Sequence, residues 1–376
     1  WKYGERAFRY CQHDAGHALA TVRYAAGVLG WSARLLEAPG DDDVATLLGL
    51  DREGDHGDLA ASDREHPDAL VLVGPAEGIE DGRNRVEGAV DELVGLARGG
   101  TWAGRPNPLS PSHREWEEID AVTAAARKSR TPPSRHVLAA DGDAAAPPES
   151  AEATTSRAAA LIRQRRSAVA MDGRTSLSAG QLGAILERLV PRPGVPPWDI
   201  LPWSPRVHPV LFVHRVEGLD AGLYLLERSG AIEGVVREIM RPTFAWEPVS
   251  LGDSGLRLSL LEAGDTRSLA RFVSCQQAIA AESAFSLGML SLFDDSLAEG
   301  AWWYRRLFWE AGVLGQALYM EAEAAGVRGT GIGCYFDDVV HETLGLEGNR
   351  LRDLSHFTVG GPVDDPRLVT RPAYPE

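Results

Sequence analysis

Two stretches decide the reading of this chain: Asp41-Asp-Asp-Val-Ala-Thr-Leu-Leu-Gly-Leu50 and Asp337-Asp-Val-Val-His-Glu-Thr-Leu-Gly-Leu346. They share six residues and stand 296 positions apart. The same shift carried upstream aligns Asp14 to Leu50 with Glu310 to Leu346 without a gap, with ten of 37 positions identical. Typical residue frequencies give roughly three matches by chance. Ala15-Gly16 falls on Ala311-Gly312, Gly30 on Gly326, and further upstream Arg9 on Arg305. The pattern reads as a duplicated unit. Each copy has a long apolar helix, over 14–29 and 310–325, ended by Gly30 or Gly326 as a C-terminal cap. A loop and a short helix then lead into a strand ending Val-Gly. That strand is Ala69-Leu-Val-Leu-Val-Gly74-Pro75 in one copy and Phe357-Thr-Val-Gly-Gly361-Pro362 in the other.

The copies differ in completeness. Residues 1–100 carry the C-terminal half of the repeat, 101–155 form a Pro-rich connection and linker, and 156–376 hold a complete unit. A short helix over 113–127, with Ser112 as its N-cap, interrupts the connection. The complete unit opens with a helix over 157–165. A second helix is announced by the capping box Ser178-Ala-Gly-Gln181 and runs to about Val190. Strands over 208–215 and 223–226 flank the turn Gly218-Leu-Asp-Ala-Gly222, a hairpin signal. Helices and strands mix without a βαβ rhythm, which predicts an α+β fold.

Composition narrows the function. With 38 Lys plus Arg against 54 Asp plus Glu, the net charge is −16, and a nucleic-acid backbone is repelled by most of the surface. The apolar runs fall short of the roughly 18 residues that a membrane span needs. Cys11, Cys275 and Cys334 are odd in number and far apart. Neither a disulfide framework nor a zinc finger is expected, and a reducing cytoplasm fits. The first residue is Trp1, with no initiator Met and no signal-peptide pattern following, so the sequence is expected to begin inside a longer protein.

Arg163-Gln-Arg165-Arg166-Ser167 places three guanidiniums and a hydroxyl within five residues. Arginine forks bind phosphate bidentately; the competing reading is a solvated helix end whose arginines favour the dipole. The chain resembles the FMN-dependent nitroreductase superfamily, in its SagB-type, azoline-oxidase-like branch. The resemblance lies in Arg165-Arg166-Ser167, in Leu177-Ser178 with Leu182, in Glu310-Ala311-Gly312 with Gln316, and in Val359-Gly-Gly-Pro-Val-Asp-Asp-Pro-Arg367. It covers about 156–374 fully and about 1–74 as a partial copy. It implies an antiparallel-rich sheet flanked by helices, duplicated as an intrachain pseudo-dimer. It also implies that Arg165, Arg166 and Ser167 hold the FMN phosphate and ribityl chain, joined by Arg367. Gly331, Ile332 and Gly333, in a Gly-rich loop after the capped helix, would offer backbone to the flavin ring. That loop follows a helix, so a dinucleotide fingerprint is not indicated. Val169 departs from the family, which often has a basic residue there.

Lys2-Tyr3-Gly4-Glu5-Arg6 resembles the stretch that supplies a Lys-Tyr pair for proton abstraction in azoline oxidases, which implies catalytic roles for Lys2 and Tyr3. The second copy reads Ala298-Glu299-Gly300-Ala301-Trp302 at that offset, which favours a structural role. His13 and His17 stand one helical turn apart but lack a third ligand, so packing or an interface is expected rather than metal. The Trp203 to Pro209 segment takes the place of a family loop in which an Arg or His, here Arg206 or His208, would face flavin or substrate; the other reading is a surface loop. The function expected is FMN-dependent oxidation or reduction of a small molecule or modified peptide, with NAD(P)H as a candidate electron donor. The other reading is a degenerate scaffold or partner-binding module without redox turnover.

Overall fold

The structure, a computed structural model, describes all residues except 1–2, 58, 60–62, 107–111, 113, 133–150, 253, 370 and 372–376, with only the backbone of 151–156. The chain begins with α1 (Ala7–Val28), β1 (Trp31–Leu35), α2 (Asp41–Leu48) and β2 (Val71–Pro75). Three helices follow, α3 (Ile79–Gly88), α4 (Val90–Gly99) and α5 (Glu117–Ala125). Trp116 flanks the start of α5, so Ser112 is not its cap. Next come α6 (Ala151–Gln164), β3 (Leu177–Ser178), α7 (Ala179–Glu187), β4 (Val207–Val213), β5 (Val216–Glu217) and β6 (Gly222–Glu227). After them lie α8 (Glu233–Ile239), β7 (Glu247–Val249), β8 (Arg257–Ala263), α9 (Arg267–Val273), α10 (Ala278–Glu282) and β9 (Phe285–Leu292). The chain closes with α11 (Phe293–Leu297), α12 (Trp303–Ala324), β10 (Arg328–Ile332), α13 (Asp337–Leu344) and β11 (Leu351–Gly360).

The repeat holds at the level of elements. Shifted by 296, the bounds of α1 fall on those of α12, and those of α2 on those of α13. Both long helices start seven residues earlier than the apolar pattern suggested, at Ala7 and Trp303. Their stops agree with it: Gly30 and Gly326 take φ of +73° and +77°, and the shorter helices end on Gly49 and Gly345 at +73° and +71°. Glycine adopts this left-handed geometry without a Cβ penalty.

β1 and β2 form an antiparallel pair, as do β10 and β11. The second pair continues into a seven-stranded sheet ordered β10-β11-β9-β4-β6-β8-β7, all antiparallel. Ser178 caps α7 as predicted, its Oγ accepting from the Gln181 N–H while Gln181 Oε1 accepts from the Ser178 N–H. One apolar cluster packs the sheet against α7 and α12, and a second fills its other face beneath α8, α9 and α13.

The two long helices cross at equivalent glycines. A Cβ on Gly16 would lie 2.1 Å from the Trp309 carbonyl oxygen, and one on Gly312 would lie 2.2 Å from that of His13. Residues 13 and 309 are offset partners, so the contact is the same seen from either helix, as in an isologous dimer interface.

Two expectations are corrected. Residues 329–332 belong to the edge strand β10 rather than to a loop, because their backbone pairs with 356–359 of β11. Cys275 and Cys334 form a disulfide, their Cα atoms 5.6 Å apart. The turn after α9 meets the segment after β10, where the Phe336 N–H donates to the Val273 carbonyl. Spacing in sequence does not reveal such an approach, and the cysteine argument for a reducing compartment loses its premise. Cys11 remains free.

Candidate functional site

A cleft of about 420 Å³ is lined by α1 and by the end of strand β10. Tyr10, His13, Asp14 and His17 of α1, with Tyr3 ahead of it, form one wall. Gly331, Ile332 and Gly333 with Tyr319 of α12 and Phe357 of β11 form the other. The volume lies in the usual range of small-molecule sites. Residues 3–17 and residues 289–357 both line the cleft, so neither segment alone builds it.

The segment after α6 runs beside β10, the Ala168 N–H donating to the Gly329 carbonyl and Thr330 Oγ1 donating to that of Ala168. This brings Arg165, Ser167 and Gly331 to Tyr319. Ser167 Oγ donates to the Tyr319 hydroxyl at 3.1 Å, and the Gly331 N–H donates to the same oxygen at 3.0 Å. The Arg165 guanidinium lies 4.7 Å from the Tyr319 ring centroid and donates no hydrogen bond among the described residues. A cation held by an aromatic face with its N–H groups unspent suits an anionic ligand.

The other predicted residues are placed differently. Arg166 Nη1 turns back onto the carbonyls of Arg163 and Arg165, the helix-end role. Arg367 forms a two-pronged, exposed pair with Asp365, which competes with any phosphate for its guanidinium. Ile332 buries its side chain beneath the sheet, so it can offer the cleft only backbone. An added Cβ on Gly331 would make ordinary contact with the Tyr319 hydroxyl at 3.8 Å and the Phe357 ring at 3.9 Å. Gly333 is needed for packing, since a Cβ there would meet the Tyr10 ring at 2.4 Å. Tyr3 lies edge-on to Tyr10, their centroids 4.9 Å apart. Lys2 lies outside the described residues.

Two other expectations fail. Arg206 stacks on Trp303 at 3.7 Å and pairs with Glu299. His208 is fully buried in β4, where its Nδ1 accepts the Arg228 N–H, so neither residue reaches the cleft. His13 and His17 line the cleft, and among the described residues no three potential ligands gather for a metal. Burial pushes His13 down to about 3, assisted by His17 and Arg9, and so keeps it neutral. Tyr319 was missed because a tyrosine on an apolar helix reads as core.

The offset-related position is filled. Glu37 stands where the cleft has Gly333, and Arg306 where it has Tyr10. Their side chains pair at 2.8 Å, both buried, with Arg306 lying against Trp203 and Trp302. Lys128 Nζ donates to the carbonyls of Glu37, Pro39 and Ser129. Burial lowers Lys128 to about 8. Only about 20 Å³ remains open there.

No family model and no curated protein matches the chain. Among solved structures, a protein from Anabaena variabilis assigned as a nitroreductase superposes with a TM-score of 0.66 at 19% identity, over 96% of this chain and 67% of that one. The fold is therefore nitroreductase-like. Two weaker likenesses, too low to carry an argument, are the E. coli microcin synthetase McbBCD complex with truncated pro-MccB17 and a nitroreductase from Exiguobacterium sibiricum in complex with FMN. The first has a TM-score of 0.39 at 18% identity, over 61% of this chain and 79% of that one. The second has 0.32 at 14%, over 57% and 91%. Among the described residues no helix is long and apolar enough to cross a membrane.

Proposed function

We propose that this chain is an FMN-dependent oxidoreductase of the nitroreductase superfamily, in its SagB-type, azoline-oxidase-like branch. Its two halves take the place of two subunits. The observation that carries the reading is the convergence of Arg165, Ser167 and the Gly331 N–H on Tyr319 at the cleft. The donor set fits the cofactor: a guanidinium and a hydroxyl for phosphate and ribityl oxygens, and at Gly331 backbone without a side chain lining the cleft for a planar ring. Bound FMN would supply two-electron chemistry. The chain's part is to hold the phosphate with Arg165, to support the ring edge with the backbone of residues 331–333, and to shield it with Tyr3, Tyr10 and Phe357. NADH or NADPH is the proposed donor for nitro or quinone reduction, and oxygen the proposed acceptor for azoline oxidation.

Purified protein should show flavin absorbance, or acquire it on adding FMN, and bleach on anaerobic reduction with NADH or NADPH. A colourless protein that takes up no FMN would instead favour the scaffold reading. That reading draws on the engaged guanidiniums of Arg166 and Arg367.

A further inference from the structure

His17 sits on α1 against the cleft, on the wall opposite Gly331. Its Nδ1 lies 3.2 Å from Gln316 Oε1. An amide oxygen only accepts, so with Gln316 Oε1 facing Nδ1 the contact assigns the ring hydrogen to Nδ1. Nε2 is left with a lone pair and pairs with no group among the described residues. It is not among the sealed polar atoms, whereas Nε2 of His13, one turn earlier in the same wall, is buried without a partner. Room for the His17 ring comes from Gly315, where a Cβ would meet Nε2 at 3.1 Å and Cε1 at 2.8 Å. The helix and its neighbour thus hold one imidazole in one tautomer.

We propose that His17 is the proton acceptor of this cleft and that its substrates are compounds oxidised there, each presenting an O–H, N–H or acidic C–H bond. This rests on the flavin reading above. A nitro or quinone oxygen needs a donor, and the tautomer offers an acceptor. As such a substrate is oxidised, the bond to its acidic hydrogen breaks and the proton passes to His17 Nε2. A new double bond would form in the substrate, and bound oxidised flavin would supply the acceptor for the electron pair and the second hydrogen. Burial lowers the basicity of His17 and Arg165 adds to this, while the Gln316 bond and Asp14 oppose it. His13, also neutral, is the other imidazole in that wall. The acceptor is therefore neutral and ready at neutral pH, and Asp14 supports the imidazolium formed.

The test uses flavin-free full chain labelled with 15N-histidine, so failure of flavin binding leaves its outcome intact. Long-range proton–nitrogen correlation, assigned by comparison with His17→Gln, should show His17 protonated on Nδ1 and bare on Nε2 at pH 7.5. Gln316→Leu should give a mixture of tautomers. Phenol, a hydrogen-bond donor, should shift the Nε2 resonance, and anisole should not. A proton on Nε2 in the unmodified chain overturns the proposal. So does an equal response to the two probes, or none to either.

Discussion

At the scale of single residues, charge and burial decide most outcomes. Arg165→Ala should weaken FMN binding by one to two decades, since a charge-assisted contact is worth about 1.5–3 kcal/mol. Arg367→Ala should cost less, because Asp365 already occupies its fork; titration of apoprotein with FMN ranks the two. Glu321 on α12 is pushed up to about 7 by burial, with Arg188 and Arg157 pulling the other way. Above its unfolded value the folded chain holds a proton that the unfolded chain has released, so stability falls as pH rises from about 4.5 through 7. Glu321→Gln should therefore melt higher than the parent at pH 8, with the gap closing at pH 5. Equal melting curves at pH 8 would dismiss this account. His13 acts with the opposite sign: its folded value lies below the unfolded one, and the stability it contributes is lost as acid is added below pH 6.5.

At the scale of elements, what was legible in sequence followed local rules. Gly30 and Gly326 and the Ser178 capping box act through backbone geometry within a few residues, and each is where the sequence indicates. Pairings between distant segments were not legible. Residues 329–332 look like a flexible loop until β11 supplies hydrogen bonds, and Tyr319 gains its role only when α6 delivers Ser167 beside it. Nor does local sequence indicate whether a glycine is packed or open. Gly16→Ala and Gly312→Ala should each destabilise by about 1–3 kcal/mol or more, since the new Cβ meets backbone that cannot yield. Gly95→Ala in α4, with nothing within 4 Å, should stabilise by about 0.5–1 kcal/mol. Denaturant melts of the three variants check both signs. Breaking the Cys275–Cys334 link, by reduction or by Cys275→Ser, should cost about 4 kcal/mol on the loop-entropy model for a separation of 59 residues.

At the scale of the whole molecule, the two related positions have opposite contents: an open cleft at Gly333 and Tyr10, and a buried ion pair at Glu37 and Arg306. Residues 32–37 contain no glycine that would let a ring approach the backbone, and Arg306 paired with Glu37 fills the space beside them, so a single flavin per chain is expected. Flavin extracted from fully loaded protein should not exceed about one per chain. A crystal showing a second ring against residues 32–37 would refute the assignment. The crossing of α1 and α12 at Gly16 and Gly312 gives this asymmetry its opportunity. In a two-fold pair of identical subunits every substitution appears at both sites, so a change that seals one cavity seals both. Once both halves of the crossing lie in one chain, each half accumulates changes on its own. One cavity is then free to close and stiffen the molecule while the other stays open.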